Sequence, residues 1–206
     1  NKKKKKHFDT NIKKKYLSKF KFDLTNDQKN AIMDIENDLS SKERMFRLIQ
    51  GDVGSGKTIV SLIAALNTIK SGYQVALMVP TEILAKQHYN FSKDFFNSDI
   101  KIELITGKID YSKKKKILES LESNKINLII GTHSLFQKKI KFAKLGFIII
   151  DEQHKFGVKQ RISLAKKGGD NCDLLSMSAT PIPRTMMLSF FGDMDVSVLN
   201  EKPKNR

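Results

Sequence analysis

The chain has a single cysteine, Cys172, in 206 residues. One thiol excludes a disulfide framework within the chain and suits a reducing compartment, the cytosol. No apolar run approaches the roughly 20 residues that a helix needs to cross a bilayer, and no positively charged stretch leads into an apolar one as a secretory leader would. Internal repeats are absent, and the run Lys113 to Lys116 is too short to count as low complexity. Histidine is scarce: His7, His88 and His133 have no ligand-like spacing to a cysteine, so no metal is expected beyond one bound with a nucleotide. Acidic residues and arginine are also short. Asp and Glu number 22 against 38 Lys and Arg, a net charge of +16, and lysine outnumbers arginine 33 to 5. That bias, with frequent Asn and Ile, resembles the drift of an AT-rich genome as much as a demand for a polyanionic partner. Ten lysines and one aspartate fall in residues 1–21, which carry nine of the sixteen net charges. Residues 1–21 therefore read as a lysine-rich linker or connector helix. They are a solvated arm, a non-specific phosphate grip through residues 2–6 and 13–15, or a helix burying Phe8, Ile12, Tyr16, Leu17 and Phe20 at loose i, i+4 spacing.

What is present is concentrated. Residues 51–58 read G-D-V-G-S-G-K-T, directly behind the apolar run Phe46-Arg47-Leu48-Ile49. A strand, a glycine-rich turn and a helix start are what a triphosphate needs. Gly51, Gly54 and Gly56 let the backbone curl with its N–H groups inward, and the helix offers its positive end. A glycine-rich turn without that role rarely carries Gly-Lys-Thr at this offset. Asp52, Val53 and Ser55 complete the loop, Lys57 is placed for the β and γ oxygens, and Thr58 for Mg²⁺. ATP and Mg²⁺ are the expected ligands. Farther on, Phe147-Ile148-Ile149-Ile150 has the look of a buried parallel strand and ends in Asp151-Glu152-Gln153-His154. Carboxylates there lie beside the phosphate loop of a doubly wound sheet. Asp151 would join Thr58 in the Mg²⁺ shell, and Glu152 would orient and deprotonate the attacking water.

Periodicity places strands at 45–49, 75–79, 100–105, 128–130, 147–150 and 174–177, and helices at 25–39, 58–70, 82–96, 112–123 and near 160–166. Thr25 or Asn26 caps the first helix. The alternation predicts an α/β fold, a mostly parallel sheet with helices on both faces and ligands at the strands' C-terminal ends. Pro80-Thr81, Thr106-Gly107 and Gly131-Thr132-His133 lie at such ends. Each offers backbone N–H groups and a hydroxyl to a nucleic-acid phosphate, or is a plain strand-to-helix turn. Ser178-Ala179-Thr180 would aim two hydroxyls at the carboxylate pair and the γ-phosphate.

The strings G-D-V-G-S-G-K-T, P-T-E-I-L-A-K-Q-H, G-T-H-S-L, D-E-Q-H and S-A-T-P-I-P-R-T together resemble superfamily 2 helicases, and best the RecG family of bacterial ATP-dependent branched-DNA helicases. Residues 51–56 and the H-K-F-G-V-K-Q-R run at 154–161 make the likeness specific. Lys155 stands where that family has arginine, and lysine lacks the planar fork for a bidentate contact. The resemblance covers 22–206 and implies a first RecA-like domain of a P-loop NTPase that binds Mg·ATP. Hydrolysis there would drive translocation on, and remodelling of, branched DNA such as replication forks and Holliday junctions in repair and recombination. It implies that Phe22 and Gln28 read adenine, and that Gln153, His154, Ser178, Ala179 and Thr180 couple hydrolysis to DNA. It also implies a wedge domain and a second, arginine-bearing RecA-like domain outside these residues, which read as a segment of a longer chain. A cytoplasmic, nucleoid-associated monomer on branched or duplex DNA is the matching expectation. Other classes fit parts of the pattern. One is a duplex-DNA translocase of the transcription-repair coupling factor type. A nucleotide-gated binding module without hydrolysis is opposed by Glu152 and the Thr58/Asp151 pair. An RNA helicase of D-E-A-D type is opposed by D-E-Q-H with its F-G-V-K-Q-R continuation.

Overall fold

A computed structural model of the chain describes residues 3–6, 10–18, 23–107, 109–152, 167–180 and 194–203. Among these the elements run α1 (Thr10–Leu17), α2 (Asn26–Ser40), β1 (Phe46–Gly51), α3 (Lys57–Lys70), β2 (Gln74–Met78), α4 (Glu82–Phe96), β3 (Ile102–Ile105), α5 (Tyr111–Glu122), β4 (Leu128–Gly131), β5 (Leu145–Asp151), β6 (Asp173–Ser178) and β7 (Asp195–Leu199). The expected helix near 160–166 falls outside the described residues.

The strands form one sheet in the order β3-β4-β2-β5-β6-β1-β7, and every pairing is parallel. Parallel strands covered on both faces read as continuous apolar runs, and β2 and residues 145–150 of β5 are buried throughout. Alternate side chains feed two cores. Leu77 and Ile149 join the cluster under α2, α3 and α4 with Leu39, Leu66 and Phe96. Ala76, Met78, Ile148 and Ile150 join the cluster with Ile117 and Leu121 of α5. The strand order has one functional consequence. Because β1 and β5 flank β6, their C-terminal ends are about 10 Å apart at the ~4.8 Å strand spacing.

Thr25, rather than Asn26, caps α2. Its hydroxyl accepts the Gln28 N–H at 3.2 Å while Gln28 Oε1 accepts the Thr25 N–H at 3.0 Å, a capping box. β7 had no sequence expectation. Among the described residues it is an edge strand paired with β1 alone, with Val198 exposed and Ser197 and Leu199 buried. Arg47 on β1 holds it by donating to Ser197 Oγ at 2.9 Å and to Asp38 Oδ2 at 2.7 Å.

The described part of the lysine-rich stretch is packed. Lys3 and Lys6 are buried and both pair with Asp173, the first residue of β6; Lys3 Nζ lies 2.7 Å from Oδ1. Lys3 also donates to the Asp38 carbonyl at 2.7 Å, and Lys6 to the Asn171 carbonyl at 3.0 Å. On α1, Lys13 pairs with Glu36 at 2.8 Å. Tyr16 is buried against Phe95 and Phe96, with ring centroids 5.8 and 5.9 Å away. Phe8 and Phe20 lie outside the described residues.

Candidate nucleotide site

The loop at 51–58 has the backbone that its glycines allow. Gly54 and Gly56 sit at φ 87° and 89°, in the left-handed region. At Gly56 a Cβ would also come within 2.2 Å of Gln28 Nε2, and at Gly51 within 2.7 Å of the Leu199 carbonyl. α3 starts at Lys57 with no side-chain cap, which leaves its first N–H groups without a capping side chain at the loop. Lys57 Nζ donates to the carbonyls of Gly51 and Asp52, the latter at 2.9 Å. Burial holds its pKa below the usual lysine value, against the opposing pull of Asp151, Glu152 and Asp52. The ammonium therefore rests on exchangeable carbonyl contacts beside two carboxylates. Thr58 is half-buried one residue on, and Ser55 Oγ is enclosed with no hydrogen-bond partner among the described residues. Asp52 and Val53 form the exposed crest.

Gln28 is fully buried, and its amide donates to the Ser55 carbonyl at 2.7 Å while its oxygen serves the cap. It is a strut between α2 and the loop, which leaves at most one amide N–H for a base edge. Phe22 lies outside the described residues.

A cleft of about 450 Å³ opens between the loop and the end of β5. Val53, Gly54, Gly56, Lys57 and Thr58 line one side, Asp151 and Glu152 another. The remaining wall is α4, whose Leu84, Gln87, His88 and Phe91 recur at i, i+3, i+4 and i+7. Asp151 Oδ2 lies 2.9 Å from His88 Nε2, and Oδ1 accepts the Glu152 N–H at 3.0 Å. Glu152 sits at φ 49°, a conformation that costs a non-glycine residue about 1–2 kcal/mol. His88 was not anticipated, because a search for metal-ligand spacing passes over it. Its signal was helical phase: it lies on the Leu84 face, within two turns of the start of α4.

The Ser178 and Thr180 hydroxyls turn to each other instead of to the carboxylates. Ser178 Oγ accepts the Thr180 N–H at 3.2 Å and lies 3.1 Å from Thr180 Oγ1. Such a local turn satisfies a serine at a strand end without a distant partner. Ala179 is half-buried beside them, while Gln153 and His154 fall outside the described residues.

The other loops gather at the far half of the sheet, where β2, β4 and β3 are neighbours. Thr81 caps α4, its Oγ1 accepting the Leu84 N–H at 3.3 Å, with Pro80 half-buried before it. The Gly107 N–H is not open, as the sequence suggested: it donates to Glu82 Oε1 at 3.0 Å and joins two of the loops. Thr106 and Thr132 are buried and His133 is exposed. Gly131 passes so close to β3 that a Cβ would sit 2.7 Å from the Ile105 carbonyl.

Residues 25–188 match the DEAD/DEAH box helicase family, and the chain belongs to that family. Within it the likeness is to RecG over nearly the whole chain. The chain is 49% identical over 200 residues to the ATP-dependent DNA helicase RecG of Aquifex aeolicus, covering 96% of this chain and 25% of that protein. It is 47% identical over 202 residues to RecG of Thermotoga maritima, covering 98% and 26%. The chain thus spans about a quarter of the length of the curated relatives it matches. Among solved structures it matches RecG bound to a three-way DNA junction, with TM-score 0.87 and 42% identity over 100% of this chain and 27% of that one. The DEAD-box helicase Mss116 bound to ssRNA and UDP-BeF shares the fold, with TM-score 0.74 and 20% identity over 94% and 43%. A helicase domain of this family uses a nucleotide. Among the described residues no helix is long and apolar enough to cross a membrane.

Proposed function

We propose that this chain is the ATP-binding motor domain, residues 22–206, of an ATP-dependent branched-DNA helicase of the RecG type. One observation carries the reading: an uncapped α3 N-terminus with Lys57 faces Asp151 and Glu152 across a single cleft. The residues fit Mg·ATP. The loop glycines leave room for phosphate, and the Lys57 contacts are replaceable. Thr58 and Asp151 both line the cleft, which suits Mg²⁺, an ion that takes one or two protein ligands and completes its octahedron with phosphates and water. Bound there, Mg·ATP supplies the phosphoryl group whose hydrolysis drives the motor. Gly54, Gly56 and the α3 amides would hold phosphate, with Lys57 exchanging its carbonyl contacts for phosphate oxygens. Thr58 and Asp151 would hold the ion, and Glu152 would take the proton of the attacking water.

Pro80-Thr81, Thr106-Gly107 and Gly131-Thr132-His133 are proposed to meet DNA phosphates, and Ser178 to Thr180, with Gln153 and His154, to relay the nucleotide state. The matched relatives are about four times longer, and a wedge domain and a second RecA-like domain are proposed to complete the machine. An arginine from that second domain adds about 10³–10⁵ in turnover in phosphoryl-transfer enzymes. The assembled protein acts as a cytoplasmic monomer on the nucleoid.

The test compares ATPase stimulation of the full-length polypeptide by forked DNA, linear duplex and RNA. Forked DNA should stimulate most. Equal stimulation by linear duplex would move the protein to the coupling-factor type, and preference for RNA would overturn the reading.

A further inference from the structure

His88 has no part in the motif roles above, yet it is among the most confined groups in the cleft. The residue is 8% exposed, Nε2 lies 2.9 Å from Asp151 Oδ2, and Nδ1 is enclosed with no hydrogen-bond partner among the described residues. The other Asp151 oxygen accepts the Glu152 N–H. Two contacts thus set the plane of this carboxylate, one from the next residue's backbone and one from α4.

Two observations separate this pair from packing. Buried polar atoms are almost always bonded, so an apolar residue would fill the space without an orphaned ring nitrogen. The helix that delivers His88 also begins at the loop corner: Thr81 caps it and Glu82 holds the Gly107 N–H. At 1.5 Å per residue, that corner is about 10 Å from His88 along α4.

We infer that His88 is a positioning residue for Asp151, fixing the carboxylate proposed to hold Mg²⁺ and tying it through α4 to the corner at Thr81, Glu82 and Gly107. This rests on the Mg·ATP reading of the cleft. A carboxylate oriented by a hydrogen bond presents its remaining lone pairs to the ion at no further ordering cost, and loss of such outer partners typically lowers metal affinity about 10–100-fold.

The test is binding of a fluorescent ATP analogue to the 206-residue chain across a Mg²⁺ series and in EDTA, with thermal midpoints recorded alongside. In the wild type Mg²⁺ should tighten binding. His88→Ala should keep its EDTA affinity within about twofold but need about tenfold more Mg²⁺ or above. His88→Gln, whose amide nitrogen reaches the place of Nε2, should recover most of that, whereas His88→Asn, which reaches only the place of Nδ1, should not. The inference is overturned by an unchanged Mg²⁺ requirement in His88→Ala, by equal loss with and without Mg²⁺, or by Gln and Asn variants that behave alike. The last comparison decides should the alanine variant fail to fold. A wild type whose binding ignores Mg²⁺ would remove the nucleotide reading itself.

Discussion

Asp173 draws two ammonium groups into the interior, and neither would be there without it. Lys3 and Lys6 are both buried around its carboxylate, which also accepts the Met45 N–H at 2.7 Å. Removing one member of a buried ionic group leaves charge without compensation, typically at about 3–5 kcal/mol. Asp173→Asn should therefore lower unfolding free energy by about that amount in urea titrations; a change under about 1 kcal/mol would mean that the lysines relax into solvent. Tyr16 gives a pH signature. Burial, then the hydrogen bond and charge of Asp99, push its phenol up to about 12 from 10.0. A folded pKa above the unfolded one favours the fold while the phenol keeps its proton. That stability is complete below pH 10 and is lost as pH rises toward 12. Thermal midpoints should fall over that window in the wild type and fall less in Tyr16→Phe; identical slopes would contradict the assignment.

At the scale of elements, legibility followed whether the signal was local. β1, α3, β2, α4 and β5 were readable from apolar runs and the loop between them, because a buried parallel strand and an amphipathic helix announce themselves within a few residues. β7 was not, since D-V-S-V-L is only five residues long and becomes a strand by pairing with β1. Residues 3–6 misled by composition. Their lysines look solvated until Asp173, about 170 positions away, is brought alongside. His88 was hidden likewise, its partner Asp151 being 63 positions distant. Of the three readings of residues 1–21, the packing of α1 and the Lys3–Lys6 strap favours the packed helix over the solvated arm. Truncation of 1–18 would remove the lysine partners of Asp173 and Glu36 and uncover Phe95 and Phe96. The thermal midpoint should drop by about 6 °C or more, given ~2–4 °C per kcal/mol for a domain of this size. An unchanged midpoint would show that these contacts contribute little.

Across the whole molecule, the sheet's C-terminal edge divides into two halves. β5, β6 and β1 carry the carboxylates, the Ser178 turn and the phosphate loop, while β2, β4 and β3 carry the three loops proposed for DNA. α4 belongs to both, starting at the second half and walling the cleft of the first. The alternation of strands and helices was legible, and so was the placing of loop and carboxylates at strand ends. The strand order was not, because sequence carries no mark of which neighbours pair. The central claim, that this cleft binds and hydrolyses Mg·ATP, is met most directly by measuring nucleotide affinity and turnover together in Lys57→Ala and Glu152→Gln of the full-length polypeptide. Lys57→Ala should lose both, because the loop holds no other lysine for the phosphates. Glu152→Gln should keep the affinity and lose the turnover, because shape stays and the base goes. Turnover at the wild-type rate in either variant would contradict the account.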